Sequence, residues 1–428
     1  MDAIGPGLTG TGPHSRPGSL PGVTAPRLAA VAAAAALGAL TLASCSTPSG
    51  SSTVAAPAVT SAPASATTGV PASVPPPAHL PTRGKDGTIY PGPTWVHARP
   101  SSLGFSGKKL RAIARAAKPS ATTCLLVARK GKVVGEWNWG GVAPEAPREV
   151  YSVTKSVTST LVGMAQADGD LRVSQPASHF IADWWGTKSG GVTIRDLLSN
   201  DSGRHWDFST DYGDLPQAQD RTQFAIDLRQ QYPPGKVWAY NNAAIQTLDR
   251  VVSRATGQST REYAATRLFG PIGMTHTQMT ADPAGNTNTF FGLQTTCEDL
   301  ARFGYLFLRH GRWGDRQVVP RAWVKAAVGA PSQRHNAAYG LLWWLNRRGP
   351  LIDPLSTDAP GQPAPPVGQE IPGAPADIFS AQGLGGQVVL VDPGSQTVVV
   401  RIGQFTPGGA DQYSVRDAAR FVTEALGR

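Results

Sequence analysis

Cysteine, methionine and charge are all scarce in this chain. Its 428 residues include three Cys and four Met, and only 16% are charged. Three cysteines are too few for a disulfide-stapled scaffold. No Cys-x-x-Cys or His-Glu-x-x-His occurs and the eight His are dispersed, so no metal or cofactor is expected. No Gly-x-Ser-x-Gly occurs either, which argues against a serine nucleophile on a strained strand-to-helix turn with Asp and His partners. There are no internal repeats. The net charge of +10 comes from scattered Lys and Arg, not from blocks. That pattern gives no nucleic-acid signature and suits a basic surface facing anionic lipid or envelope polymer. With 40% hydrophobic residues, the chain can build one large domain or two modest ones.

The first 44 residues read as an export signal. Arg16 and Arg27 precede an alanine-rich apolar run from Leu28 to Ser44, too short and small-sided for a comfortable membrane span. The run ends Leu42-Ala43-Ser44-Cys45, which resembles the bacterial lipobox, where cleavage precedes a Cys that is then lipidated. Cys45 is thus the expected lipidation site, giving a membrane partner through its lipid and placing the protein on the extracytoplasmic face. Residues 45–95 are rich in Ser, Thr, Ala and Pro and read as a disordered tether. The folded domain is expected over 96–428. Cys124 and Cys297 then remain in an oxidising compartment, as one disulfide or as two buried thiols.

The most informative stretch runs from Tyr151 to Ala165. Val153, Val157, Leu161 and Val162 mark a helix starting at or just before Ser152. After Lys155 the other positions are small and uncharged (Ser156, Thr158, Ser159, Thr160, Gly163), so the helix is expected to be buried nearly all round. A cation at the mouth of a core helix is costly unless it has partners or a function. Ser152 projects from the same side one turn earlier. A hydroxyl, an amine within reach and free helix N–H groups together indicate an activated serine nucleophile. Ser106-Gly107-Lys108-Lys109 repeats the Ser-x-x-Lys spacing but opens a helix with Lys108, Lys109, Arg111 and Arg115 on its wet side, which reads as an N-cap and a solvated face.

Along the chain, residues 105–117 read as a helix, and 123–128 with 133–137 as a β-hairpin. Helices follow near 192–199, 224–230, 243–255, 263–269, 299–309 and 323–328. Residues 209–222 read as irregular, 339–345 as a Trp-rich strand, and the Pro-rich stretch 349–375 as an insertion or rim loop. Strands at 388–391 and 397–402 flank the turn Asp392-Pro393-Gly394, and a helix closes the chain at 415–426. This order implies an antiparallel sheet covered by helices.

A second constellation lies at Tyr240-Asn241-Asn242. A phenol beside an ammonium can have a lowered pKa and accept the serine proton, and an amide can orient the lysine; a buried Tyr with a helix-capping Asn is the plainer alternative. Ser152-Val153-Thr154-Lys155, Pro234-Gly235-Lys236-Val237-Trp238-Ala239-Tyr240-Asn241-Asn242 and Phe269-Gly270-Pro271-Ile272-Gly273-Met274 together resemble the penicillin-recognising serine hydrolases. The nearest branch is class C β-lactamase-like, with its esterases, D-amino-acid peptidases and 6-aminohexanoate-dimer hydrolase type. The resemblance covers about residues 103–428. It implies an α/β sandwich (an α+β fold): an antiparallel sheet with helices on both faces, beside a helical lobe holding Ser152. By that resemblance Ser152 is acylated, Lys155 and Tyr240 share the general-base and general-acid work in undecided order, and Asn242 is the third residue of a Tyr-x-Asn motif. The oxyanion hole combines the Ser152 N–H with one from a strand edge.

That strand usually carries Lys-Thr-Gly or His-x-Gly. Here it reads Ser380-Ala381-Gln382-Gly383-Leu384-Gly385-Gly386, so Gly383, Gly385 and Gly386 are the candidates for the substrate strand. The departure removes the cation that binds a β-lactam or peptide carboxylate. The expectation is therefore an exported, lipid-anchored hydrolase of a small ester or amide, with weak β-lactamase and D-Ala-D-Ala carboxypeptidase activity. A non-catalytic envelope-binding lipoprotein with the same fold is the alternative. His205 and Asp207 are read either as pocket lining or as a solvated loop. Oligomeric state is left open.

Overall fold

The computed structural model describes residues 82–85, 87–406 and 412–427. The export signal, the Cys45 lipidation site and the tether up to residue 81 lie outside the described residues. The chain is packed earlier than expected, however. Thr82–Arg83 pairs with Ile89–Tyr90, and Tyr90 and Trp95 are buried against Tyr305, with ring centroids 5.9 and 6.1 Å away. The tether expected to run to residue 95 therefore overran the domain boundary. Two large aromatics in a Pro- and Gly-rich stretch were the missed signal.

In chain order the main elements are β1 (Val96–His97), α1 (Gly107–Ala117), β2 (Thr122–Arg129), β3 (Lys132–Asn138), α2 (Val153–Asp168), α3 (Ile194–Ser199), α4 (Arg221–Asp227), α5 (Asn242–Gln246), α6 (Leu248–Thr256), α7 (Cys297–Leu308), α8 (Arg321–Val328), β4 (Trp344–Leu345), β5 (Phe379–Gly383), β6 (Gln387–Asp392), β7 (Thr397–Gly403) and α9 (Val415–Arg420). Seven strands form one sheet in the order β4-β5-β6-β7-β2-β3-β1. Every pair is antiparallel except β1 with β3. The β2–β3 hairpin turns at Lys130 and Gly131, both with positive φ (52° and 76°), which matches the right-handed strand twist. A side chain at Gly131 would sit 2.1 Å from the Ile89 carbonyl.

Side chains alternate across the sheet with period two. Cys124, Leu126 and Ala128 of β2 face one core, and Leu125 and Val127 face the other. The Leu125 face is covered by α1 and α9. The Cys124 face is covered by α7 and, beyond it, the helical lobe with α2. α7 approaches closely because Gly304 has no side chain: a Cβ there would lie 2.7 Å from Val398 and 2.9 Å from Val389. This is the layered α/β sandwich with a helical lobe that the sequence implied.

Four local expectations are corrected. Residues 210–217 are helical turns rather than irregular chain. Only Trp344–Leu345 of the Trp-rich stretch is strand, because Leu342 takes a positive φ of 57° and the Gly340 N–H bonds Trp343 across a turn. The helix expected over 243–255 is divided between α5 and α6 at Thr247. The Pro-rich stretch 349–375 is irregular but anchored: Ile352, Ile371 and Ala374 are buried. By contrast Ser106 is the expected N-cap, accepting the Lys109 N–H at 3.3 Å.

Cys124 and Cys297 form a disulfide between β2 and the start of α7, spanning 173 residues. In the chain-entropy account a loop of that length stabilises the fold by about 5 kcal/mol. Replacing both cysteines by Ser is expected to lower the unfolding free energy by about 2–5 kcal/mol, read from denaturant unfolding with the slope fitted for each protein, since the freed unfolded chain exposes more surface.

Candidate active site

The α2 helix is buried from Val153 to Ala165 without a break. Several of its polar side chains find partners in the core: Ser156 bonds the Leu342 carbonyl, and Thr158 the Thr289 carbonyl, each at 2.8 Å. A Cβ at Gly163 would lie 2.1 Å from the Trp323 ring. Ser152 stands at the N-cap position, but its side chain caps nothing. Its Oγ instead receives the Lys155 Nζ at 2.8 Å. Lys155 is 1% exposed. Its Nζ also donates to the Phe290 carbonyl at 2.9 Å and lies over the rings of Tyr240 (4.7 Å) and Phe290 (5.6 Å). Burial pulls the Lys155 pKa down to about 7, with Asp211 acting the other way.

Tyr240 is brought to the same point. The Ser152 side chain lies close enough to its hydroxyl to favour the phenolate slightly. Trp344 stacks on its ring at 5.6 Å, Tyr339 meets it edge-on at 6.0 Å, and the Trp206 indole N–H holds its carbonyl at 3.1 Å. Its pKa is raised, by burial first and by Asp211, against the effect of Ser152. The direction is opposite to the lowered phenol pKa anticipated from the neighbouring ammonium, because desolvation of the phenolate dominates. At neutral pH Tyr240 is a donor.

The two asparagines divide their work. Asn241 is the helix cap, its Oδ1 accepting the Ala244 N–H at 2.7 Å and its amide bonding the carbonyls of Arg204 and His205. Asn242 is thereby free for the site: its buried Oδ1 has no hydrogen-bond partner among the described residues.

Of the three strand glycines, one reaches Ser152. A Cβ at Gly383 would sit 2.2 Å from the Val150 carbonyl and 3.2 Å from the Ser152 backbone nitrogen. Gly385 and Gly386, with φ of 76° and 75°, form the turn to β6 and lie against Phe405 and Tyr413. On β5 the side chains facing α2 are Phe379 and Ala381. Gln382 faces away and donates to Glu370 Oε1 at 2.7 Å. No cation is presented on this strand.

Three residues escaped the sequence reading. Asp211 is 1% exposed and accepts the N–H groups of Asn242 and Ala243, each at 2.9 Å. Nothing in the polar run 207–214 singled it out among three Asp. Tyr151, directly before Ser152, takes φ of 48°, a conformation that costs a non-glycine residue free energy. Glu149 holds it there, accepting the N–H groups of Tyr151 (2.8 Å) and Gly292 (2.9 Å). His205 and Asp207 pair at 2.8 Å, and Asp207 lines a cavity of about 250 Å³ with Trp206, Phe208, Ala239 and Thr357. The loop after Trp206 is thus pocket wall rather than plain solvated chain.

The profile of the family described as Beta-lactamase matches residues 110–423. The chain belongs to this family. Among its relatives, the 6-aminohexanoate-dimer hydrolase of Paenarthrobacter ureafaciens is 24% identical over 67% of this chain and 73% of its own length. The β-lactamase of Escherichia coli strain K12 is 24% identical over 39% of this chain and 51% of its own. A D-aminopeptidase of Cereibacter sphaeroides is 25% identical over 36% of this chain and 32% of its own. The chain thus spans about half the length of that β-lactamase and about a third of that peptidase. Among solved structures, one from Bacillus anthracis, provisionally described as a 6-aminohexanoate-dimer hydrolase, superposes with a TM-score of 0.60 at 19% identity, over 77% of this chain and 85% of its own. These relatives are hydrolases by name, and the fold is shared with the solved structure.

Because Gly383 packs directly on the segment bearing Ser152, Gly383→Ala must push the strand away from it. An error of about 1 Å in such a site costs on the order of 100-fold in rate. Phosphonylation of Ser152 by a fluorophosphonate is expected to slow by about that factor, while circular dichroism shows the fold retained.

Proposed function

We propose that this protein is a serine amidase, with ester cleavage as a lesser activity, working through an acyl-enzyme on Ser152. The observation that carries the reading is the buried Lys155 ammonium 2.8 Å from Ser152 Oγ with a pKa brought down to about 7. At neutral pH a large share of Lys155 is neutral, and a neutral amine at that distance accepts the hydroxyl proton. Ser152 Oγ then attacks the substrate carbonyl carbon, and the carbonyl oxygen takes the negative charge. The Ser152 N–H, which donates to nothing among the described residues, faces that oxygen together with the backbone following Gly383. Lys155 returns its proton by way of the Tyr240 hydroxyl to the leaving amine as the C–N bond breaks. Water attacks the resulting ester with Lys155 again as base, releasing the acid and restoring Ser152.

The substrate reading rests on β5. Ala381 and Gly383 offer room but no cation to a substrate carboxylate. This disfavours β-lactams and D-Ala-D-Ala peptides, whose carboxylate it leaves unpaired, while relatives named for 6-aminohexanoate dimers and D-amino acids support an amide as the bond cleaved. An extracytoplasmic location, with Cys45 as lipid anchor, is part of the same proposal. The Cys124–Cys297 disulfide supports it, since such bonds persist in oxidising compartments.

The decisive experiment is the intact mass of the protein after exposure to a fluorophosphonate, with Ser152→Ala beside it. One adduct, absent from the variant, is expected. No adduct on the folded protein would favour an envelope-binding role. The labelling rate should rise as pH increases through about 7, because deprotonation of Lys155 switches the base on; a rate flat from pH 5 to 9 would remove Lys155 from that role. A chromogenic cephalosporin is expected to turn over at least about 100-fold less efficiently than a linear aminoacyl amide, given the loss of a charged contact. Equal kcat/KM for the two would overturn the substrate reading.

A further inference from the structure

The α1 helix carries its charge in an arrangement that works against the helix itself. Lys108, Lys109, Arg111 and Arg115 are all exposed, and the helix contains no acidic residue. Leu110, Ile113, Ala114 and Ala117 are buried. The stripe of Lys108, Arg111 and Arg115, at i, i+3 and i+7, therefore points straight away from the core. Like charges at three- and four-residue spacing repel each other. Lys108 and Lys109 also stand in the first turn, where the helix dipole disfavours a cation. None of the four forms an ion pair among the described residues. Glu424 is the carboxylate that bears on Lys109, and Arg420 already holds it at 2.9 Å. An anionic surface laid against α1 relieves both repulsions.

Two tryptophans flank this helix. Trp137 near the end of β3 and Trp139 just beyond it are half-buried and pack against the core under α1. A Cβ at Gly135 would meet the Trp137 ring at 2.3 Å and Leu110 of α1 at 3.1 Å, which sets that ring beside α1. The Trp139 N–H bonds the Thr123 carbonyl at 2.8 Å, and the neighbouring Thr122 hydroxyl bonds the Ala117 carbonyl in the last turn of α1. Neither indole N–H has a partner among the described residues. A half-buried indole with a free N–H suits the boundary between lipid headgroups and acyl chains. A dissolved polyanion offers it no apolar layer. The helix also lies on the Leu125 face of the sheet, whereas α2 lies on the other. A surface held by α1 thus leaves the Ser152 side of the sheet turned away from it.

We propose that the α1 stripe with Trp137 and Trp139 is a docking surface for an anionic phospholipid bilayer. Lys108, Lys109, Arg111 and Arg115 meet the headgroup phosphates, and the two indoles enter the headgroup boundary. The proposal is independent of the hydrolase reading and of lipidation at Cys45. Each cation brought to an anionic leaflet adds roughly five-fold in partitioning, and salt screens the gain. The contact is reversible and orients the domain.

The test is co-sedimentation of the full chain, made as Cys45→Ser so that no lipid is attached. The vesicles are phosphatidylcholine alone, or phosphatidylcholine mixed about 2:1 with phosphatidylglycerol. The mixed vesicles are expected to bind at least about 100-fold more tightly, and about 1 M salt to erase the difference. Replacing Lys108, Lys109, Arg111 and Arg115 by Gln is expected to cost about 100-fold or more on mixed vesicles. The same change at four exposed cations elsewhere, Lys188, Arg254, Arg261 and Lys325, is expected to cost less than about five-fold. Trp139→Ser is expected to weaken vesicle binding about five-fold and to leave binding of soluble polyphosphate unchanged. Equal binding to both vesicle types, or equal losses in the two charge variants, would overturn the proposal. So would a folded Trp139→Ser protein that binds mixed vesicles like the parent, since the face would then take any polyanion. Should that variant not fold, the two charge variants, altered only at exposed positions, still decide. Ser152 phosphonylation is read in the same samples. A parent that docks as expected but takes no phosphonate would end the amidase reading and leave this one standing.

Discussion

A charged amine held in the core of a protein is the constraint around which this fold is arranged. Lys155 is 1% exposed, and moving an ammonium out of water without compensation is among the costliest things a chain can do. The surroundings answer that cost from several directions. Ser152 Oγ and the Phe290 carbonyl accept its protons, and the faces of Tyr240 and Phe290 lie against it. Residues 289–293 act as the strut between α2 and α5. Thr158 bonds the Thr289 carbonyl, Thr289 bonds Ile245 and Gln246, and Leu293 bonds Thr154. The uncharged, small-sided face of α2 follows from this: Ser156, Thr158 and Thr160 bury their hydroxyls on carbonyls, leaving no second charge to compete for solvation.

The strain at Tyr151 belongs to the same arrangement. A left-handed residue turns the chain sharply into α2 and presents Ser152 with its N–H uncommitted. Such a conformation costs roughly 1–2 kcal/mol for a residue with a side chain. Glu149 and Thr154 hold it from both sides, through bonds to Tyr151, Gly292, Gln294 and Leu293. Burial raises the Glu149 pKa, and its hydrogen bonds from Gly292, Tyr151 and Gln294 act against that rise. Both serines stand at a helix N-cap; Ser152 differs from Ser106 in that its side chain caps nothing and meets the buried Lys155 amine, whereas Ser106 accepts the Lys109 N–H as an ordinary cap.

What could be read from the sequence was what leaves a local trace. The period of Val153, Val157 and Leu161, the missing charge on the rest of that helix, the two-residue hairpin turn and the Tyr-x-Asn spacing each express their structure within a few residues. What stayed hidden depended on distant parts of the chain. Asp211 matters because α5 starts beside it, thirty residues on. Tyr90 and Trp95 are core residues because Tyr305 covers them. The phenol of Tyr240 is raised and not lowered because Trp344 and Tyr339 enclose it, and the depth of burial is not a property of the motif. The Trp-rich run 339–345 looked like strand because apolar side chains are buried in turns as well as in sheets when a helix and a loop close over them.

The same turn that carries Tyr240 also holds the pocket wall, and this links specificity to catalysis. The Trp238 N–H donates to Asp358 Oδ1 at 2.8 Å, Ala239 bridges Thr357, and His335 spans from Asp358 to the Gly235 carbonyl. Residues 357–362 of the Pro-rich stretch are therefore fastened to the backbone on either side of Trp238, two residues from Tyr240. Thr357, Ala359 and Gln362 line the cavity that also takes in Trp206 and Asp207. Changing that loop to admit a different substrate pulls on the segment whose placement Asp211 and Trp206 secure from the other side. A cation-free β5 removes one determinant of substrate choice; the loop supplies another. Because it is pinned to Tyr240's own turn, it cannot be altered freely without also shifting Tyr240.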